Sequence, residues 1–419
     1  MKEKKRSILA WCLYDVGNSA FATTIMAVIY PIYFQQVAAS TLSPSSATAY
    51  WGYASSLGLL IGAFLAPFLG TFADIRSIRK KIVAIFTVLG ALSALAMGSV
   101  GSGDWKIALF LLVLGSVGFS GSAICYDSLL PHIAPLDKMD EISTRGYAMG
   151  YLGGGTVLAL NLGLMAIFPG ALGARLSFVS VGLWWTAFTI PLMVAVPEPR
   201  RAFPGGSEKM GTFASLAKTF REIREYRDAF VFLLAFWLYN DGIGTVIRMS
   251  AIFGAQVGID RKSLVMALLT TQFIGIPFSL LFGRIAKKVG SKKSLYGALS
   301  WYLLIAVGAY WMKTSLHFWI LAISVGMVQG GAQAISRSIY ASMLPPERSA
   351  EFFGFYDISS KFAGIAGPAA FGIITQLTGS PRLAVLAIGS TFIIGLFLLS
   401  FVDVDRGRQK GIMRRPYQY

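Results

Sequence analysis

Gly70-Thr71-Phe72-Ala73-Asp74-Ile75-Arg76-Ser77-Ile78-Arg79-Lys80-Lys81 is a charged turn between two apolar runs, Ala49–Phe72 before it and Ile82–Val100 after it. Each run is close to the ~20 residues that a helix needs to cross a bilayer. A chain that leaves one run, makes a short basic turn and enters the next is turning back at a membrane surface. The arrangement recurs 213 residues later, at Gly283-Arg-Ile-Ala-Lys287 followed by Lys292 and Lys293. Two more echoes keep the same order. Tyr126-Asp-Ser-Leu-Leu-Pro131 answers to Tyr340-Ala-Ser-Met-Leu-Pro345 at an offset of 214, and Leu13-Tyr14-Asp15 to Leu238-Tyr239-Asn240 at 225. The chain is an internal duplication, and two like-oriented halves are a plan that secondary transporters use.

Working outward from that turn, twelve apolar runs are separated by charged or Gly/Pro-rich breaks. They are Ile8–Phe34, Ala49–Phe72, Ile82–Val100, Ile107–Leu130, Gly146–Phe168, Leu176–Val196, Ala229–Val257, Leu264–Phe282, Leu295–Met312, Phe318–Leu344, Phe352–Leu377 and Leu383–Val402. The long polar stretch is Pro197–Asp228. The expected organisation is therefore a six-helix half over 1–196, a linker over 197–228, and a second six-helix half with a tail over 229–419. The fold class is an all-α membrane protein of twelve transmembrane helices in two pseudo-symmetric bundles. Composition agrees, with 55% hydrophobic and only 14% charged residues in 419, where a soluble domain carries about 25% charged.

The net charge of +17 does not point to nucleic acid, because the bases sit in short loops. Of 37 Lys and Arg, 28 fall at the termini, in the linker and in the loops on one side. Six fall on the other side (Lys106, Arg175, Arg261, Lys262, Lys313 and Arg382), while Arg248, Arg337 and Lys361 lie within spans. The positive-inside rule then predicts that both termini are cytoplasmic, and the expected location is the cytoplasmic (inner) membrane. The N-terminus, with Lys2, Lys4, Lys5 and Arg6 and a cleavage-like Ala20-Phe21-Ala22, imitates a signal peptide. Asp15 and Asn18 interrupt the apolar core that such a peptide requires, so it reads as an uncleaved first span. Cys12 and Cys125 fall in apolar segments without disulfide or metal-ligand spacing. There is no metal cluster, phosphate loop or nucleophile elbow, so no catalytic residue, metal or cofactor is expected.

The turn Gly70-x-x-x-Asp74-x-x-Ser77-x-Arg79-Lys80 resembles the signature loop of the major facilitator superfamily, with Ile75 and Ser77 in place of a base and a glycine. Several stretches are similar to its vacuole-effluxer-like, autophagy-related branch. They are Trp11-Cys-Leu-Tyr-Asp15-Val-Gly-Asn18-Ser-Ala-Phe-Ala-Thr-Thr24, Gly150-Tyr-Leu-Gly-Gly154, Leu238-Tyr-Asn-Asp-Gly242, Gln329-Gly-Gly-Ala-Gln333 through Ser336-Arg-Ser338, and Glu351-Phe-Phe-Gly-Phe-Tyr356. The resemblance implies a twelve-helix secondary transporter. For the branch's fungal members it implies amino-acid export from vacuoles, while its bacterial members generally have no assigned substrate.

Ionisable groups inside spans are costly and are functional candidates by default. Asp15 lies about 10 Å into the first span and Asp241 roughly 18 Å into the seventh, at 1.5 Å per residue. The repeat sets Asp15 against Asn240, next to Asp241. The two carboxylates are expected to face each other and to exchange protons or bind a cationic group. The rival reading is paired structural carboxylates. Tyr14, Asn18, Tyr239, Asn240, Gln272 and Gln329 fall near mid-depth as cavity candidates, or as helix–helix hydrogen bonds. Asp74, Arg79, Lys80, Asp127, Arg337, Asp357 and Lys361 are expected to form a cytoplasmic latch. Direct anion binding by Arg337 is the alternative. Arg248 reads as an outer gate or a snorkelling anchor. Gly146, Gly150 and Gly154 make a small-residue stripe for close helix approach.

The expected function is a secondary transporter of a small polar, amino-acid-like solute by alternating access, coupled to protons or driven by the solute's own gradient. Its partners are then the solute, protons and the lipid bilayer, around a monomer, with no nucleic acid. A lipid flippase or scramblase on the same fold is the alternative from another class and would favour an apolar cavity.

Overall fold

The computed structural model describes residues 2–199 and 225–413. Most of the expected linker, with its bases from Arg200 to Arg224, lies outside the described residues, as do Arg414 and Arg415. The N-terminal half holds α1 (Lys2–Ala20), α2 (Pro44–Arg76), α3 (Arg79–Met97), α4 (Trp105–Ser128), α5 (Met139–Ile167) and α6 (Ala171–Ala195). The C-terminal half holds α7 (Arg227–Gln256), α8 (Arg261–Val289), α9 (Ser291–Tyr310), α10 (Ser315–Ser342), α11 (Ser349–Thr378), α12 (Pro381–Ser400) and a short surface helix, α13 (Val404–Met413).

The first span continues past α1 through the π-helical turns Phe21–Val28 and Phe34–Ala38, with Ile29–Tyr33 between them. Pro31 lacks the N–H that an α-turn needs there, and the widened turns accommodate it. Most helices outrun the apolar runs that signal them. α2 extends to Arg76 and α5 begins at Met139, because a helix carries on through polar residues where it leaves the hydrocarbon. Among the described residues, eleven helical stretches are long and apolar enough to span a bilayer. α9, on the expected ninth run, falls outside that set, although its 20 residues would reach about 30 Å. The outward faces of the bundle carry large apolar side chains such as Leu60, Phe64, Leu92, Phe110, Ile320 and Phe397, as a lipid-facing surface requires.

Caps mark several boundaries. Ser43 accepts from Ser46 N ahead of Pro44, Asp260 accepts from Ser263 N, and Thr314 accepts from His317 N. The turn after α2 closes on Ser77 at φ 51°, the left-handed conformation normally given to glycine. Seven residues into the second copy of the motif stands Gly290, at φ 93°. The glycine of the signature is thus a backbone requirement, and Ser77 meets it at a steric cost.

The two halves meet along α2 against α11 and α5 against α8, and their approach varies with depth. At the face that carries Lys4 and α13, a Cβ on Gly70 would run into the backbone carbonyl of Ala350. One on Gly354 would lie 2.8 Å from the Ala66 carbonyl, and one on Gly283 would strike Thr144. Half-way along, a Cβ on Gly155 would make ordinary contact with Gln272 at 3.4 Å. Among the described residues, the hydrogen bonds between side chains or backbone of the two halves lie at the face of Lys4 and α13, at Thr71, Asp74, Arg79, Asp140, Ser143 and Arg337. The halves are pressed together at the termini-bearing face and in no more than ordinary contact at Gly155, half-way along.

Candidate functional site

At the closed face the halves are joined by two polar clusters. In the first, the Asp74 carboxylate, one turn from the end of α2, accepts from the backbone N–H groups of Ala350 (3.3 Å) and Glu351 (2.8 Å) at the start of α11. A helix N-terminus presents unpaired N–H groups and a partial positive charge, which suit a carboxylate. Arg79 pairs with Asp74 at 2.6 Å and donates to the Glu347 carbonyl at 2.9 Å, itself only 1% exposed. Thr71 donates to Glu351 at 3.3 Å. Lys80 stays in its own half, where its backbone N–H donates to Glu198 at 3.0 Å. Burial raises the Glu198 carboxyl above its ordinary range, against the hydrogen bonds and charges of Lys80 and Arg79.

The second cluster centres on Arg337 of α10, 3% exposed, whose side chain enters the N-terminal half. It donates to Asp127 at 2.8 Å, to the Ser143 hydroxyl at 3.0 Å and to the Ser143 carbonyl at 3.0 Å. Asp15 lies 3.8 Å away. Three aromatic rings surround the guanidinium, with centroids at 4.6 Å (Tyr147), 4.7 Å (Trp11) and 5.9 Å (Tyr126). Close by, Asp140 at the start of α5 accepts from Ser291 at 2.5 Å and from Ser338. Ser143 donates to the Ala334 carbonyl and Ser349 to the Ser128 carbonyl, both at 2.8 Å.

The expected opposition of Asp15 and Asp241 is replaced by separate settings. Asp15 accepts from the Tyr126 hydroxyl at 2.7 Å and leans on Arg337. Asp241 accepts from the Gly367 backbone N–H at 2.8 Å, inside α11 of its own half. That N–H lies beside Pro368, which cannot supply the N–H that the Gly364 carbonyl needs four residues back. Arg248 donates to that carbonyl at 2.5 Å. Asp241 and Arg248, seven residues apart on α7, thus satisfy two backbone groups at a proline break. Arg248 is neither a free gate nor a plain lipid anchor.

Tyr14 and Tyr239 are corrections to the cavity expectation. Both are fully buried within their own halves, Tyr14 against Thr87 at 3.1 Å and Tyr239 against Ser336 at 2.7 Å. Asn240 donates to Ser360 at 3.4 Å, and Asn18 is bonded by Ser19 at 3.5 Å. Gln272 and Gln329 are half-buried. Asp357 and Lys361 pair with each other at 3.2 Å along α11, one turn apart, rather than across the halves. Sequence reasoning did not single out Trp11, Asp140, Ser143 or Tyr147 as site residues. Trp11 and Tyr126 were visible in the quoted motifs, but nothing local marks Asp140, Ser143 or Tyr147, whose partners lie about 150 to 200 residues away.

Comparison with known proteins agrees with this architecture. The family described as "Vacuole effluxer Atg22 like" matches residues 3–411. The MFS-type transporter YxiO of Bacillus subtilis (strain 168) is 36% identical over 413 residues, covering 97% of this chain and 96% of that protein. Autophagy-related protein 22 of Saccharomyces cerevisiae (strain ATCC 204508 / S288c) is 22% identical over 499 residues, covering 98% and 94%. Among solved structures, the proton:xylose symporter XylE superposes with a TM-score of 0.75 over 99% of both chains at 15% identity, which bears on the fold alone. The match along nearly the whole length, the duplicated helices and the Asp74 turn agree: the chain belongs to the Atg22-like vacuole effluxer family of the major facilitator superfamily.

Proposed function

We propose that the protein is a secondary transporter that carries a small polar, amino-acid-like solute by rocking its two halves about a site between them, with both termini in the cytoplasm. The observation that carries this reading is the graded approach of the halves, which are tight at Gly70 and Gly354, looser at Gly155, and bonded to each other at the termini-bearing face. Such a shape is one end-state of alternating access, closed to the cytoplasm. Its closure depends on hydrogen bonds and ion pairs, which can exchange for water without a large net change in free energy. The intramembrane carboxylates support proton coupling. Asp15 lies at the seam between the halves, where its partner Arg337 leaves when they part. Its protonation and their separation then favour each other.

The residues near the seam favour a polar solute over a lipid. Gln272, Gln329, Asp127, Asp357 and Lys361 would all have to be desolvated against acyl chains. An organic-anion reading that relies on Arg337 is opposed by Asp127 at 2.8 Å and Asp15 at 3.8 Å, which already neutralise that guanidinium. The test is uptake and exchange in proteoliposomes loaded with mixed amino acids, with and without an imposed pH gradient. Accumulation against a gradient of at least one amino acid is expected. Failure of every amino acid, alongside transport of a lipid probe, would overturn the reading.

A further inference from the structure

We propose that the N-terminal half carries a preformed cation socket for the solute, and that Arg337 is a tethered stand-in for the solute's cationic head while the closed state lasts. The inference rests on the transporter reading above and names the chemistry of its solute. The contacts given above for the guanidinium all come from one half. They are Trp11 and Asp15 of α1, Tyr126 and Asp127 of α4, and Ser143 and Tyr147 of α5. The charged plug belongs to the other half.

The walls of the socket are bonded to one another without Arg337. Trp11 and Tyr126 stack with ring centroids 4.7 Å apart and 12° between their planes. The Trp11 indole N–H donates to the Tyr126 carbonyl at 3.1 Å, and the Tyr126 hydroxyl lies 3.1 Å from the Trp11 carbonyl and 2.7 Å from Asp15. When the halves part, these bonds hold α1 against α4 and the box keeps its shape. A preorganised site binds with little ordering cost.

What remains is the Asp127 carboxylate, with the Asp15 carboxyl beside it, beneath three aromatic faces, with the guanidinium gone. Aromatic faces attract cations through their quadrupole, more strongly when desolvated. A carboxylate accepts the paired donors of a guanidinium, and two carboxyl groups can share the donors of an ammonium. Lys361, which acts on Asp127 from α11, is paired to Asp357 and leaves with Arg337, since both belong to the C-terminal half. The vacated socket is therefore net negative and fits a solute bearing a guanidinium or a primary ammonium, including the ammonium end of an amino acid.

The test uses the purified full-length protein in nanodiscs and methylguanidinium as the probe, followed by calorimetry. Arg337→Ala empties the socket and should bind methylguanidinium at least tenfold more tightly than the wild type. Adding Asp127→Asn to Arg337→Ala should remove that gain, and Arg337→Lys, which keeps a plug in place, should bind no better than the wild type. Equal binding by Arg337→Ala and the wild type overturns the proposal. So does equal binding by the single and double variants, or a sodium effect as large as that of methylguanidinium. If Arg337→Ala does not fold, the wild type still decides. Methylguanidinium should compete with Arg337 and lengthen the distance between spin labels at positions 76 and 288, while sodium at equal ionic strength should not; an unchanged distance counts against the socket. Tight binding by Arg337→Ala in a protein whose halves never separate, even in Asp74→Asn, would retain the socket and discard the transport reading.

Discussion

Asp15 is the residue on which chemistry and geometry converge. It touches the Tyr126 hydroxyl in its own half and Arg337 of the other, so its charge is part of the closure. Replacing it with asparagine keeps the shape and removes the charge. Asp15→Asn is expected to abolish pH-driven accumulation while solute exchange across proteoliposomes persists, because exchange needs the site and the rocking but no net proton movement. Normal accumulation at every pH would remove Asp15 from coupling. Asp241 should behave differently, since its carboxylate is engaged with the Gly367 N–H. Asparagine can still accept that bond through its amide oxygen, so Asp241→Asn should remain folded and lose less activity than Asp15→Asn. Removing Arg248 is a backbone matter instead. Arg248→Ala leaves the Gly364 carbonyl without its donor at the proline break, at a cost of about 1–3 kcal/mol, which should appear as a lower unfolding temperature.

At the scale of single elements, the turn between α2 and α3 offers a sharp test. Ser77 occupies a left-handed conformation that costs a side-chain-bearing residue roughly 1–2 kcal/mol, and the equivalent position of the second repeat is Gly290. Ser77→Gly should therefore raise the thermal unfolding temperature with transport intact. A fall in that temperature would mean that the hydroxyl, not the backbone, decides the position. The repeat also explains two helix contacts at once. Gly150-Tyr-Leu-Gly153-Gly154 in α5 and Gly364-Ile-Ala-Gly367-Pro368 in α11 stand 214 residues apart. Gly153 packs on the Val16 backbone, and Gly367 makes room for Thr245 and Asp241. The same close crossing has thus become apolar in one half and a charged, proline-broken joint in the other. A Cβ at 367 would strike Thr245, so Gly367→Ala should separate α7 from α11 and reduce both stability and transport.

At the scale of the whole molecule, the closed face is set by where the polar bonds between the halves lie. Asp74 holds Arg79 and the start of α11 together. Asp74→Asn removes the charge from both interactions, and about 1.4 kcal/mol suffices to change a two-state ratio tenfold. Label distances across the closed face should then shift toward the open form by about that factor. Asp357→Asn should leave them unchanged, because Asp357 pairs with Lys361 on its own helix. Topology is tested separately. Reporter fusions at Gly205 and Tyr419 should both be active only as cytoplasmic fusions, given the excess of Lys and Arg on that side, and periplasmic activity at both would invert the assignment.

Sequence alone determined the features that depend on neighbours along the chain. Apolar run length located the helices, since each must satisfy its own backbone bonds in lipid. The recurring turn at Gly70 and Gly283 revealed the duplication. Tertiary structure alone decided which side chains meet. Arg337 and Asp127 are 210 residues apart, and no periodicity within either helix says that one enters a box built by the other half. Tyr14 and Tyr239 sit at mid-depth beside charged residues, yet they turn into their own bundles to reach Thr87 and Ser336. Depth in a membrane can be counted along one helix. The direction a side chain faces, and so its partner, is set by the packing of helices distant in sequence, because a buried polar group takes whichever hydrogen-bonding partner that packing brings within reach.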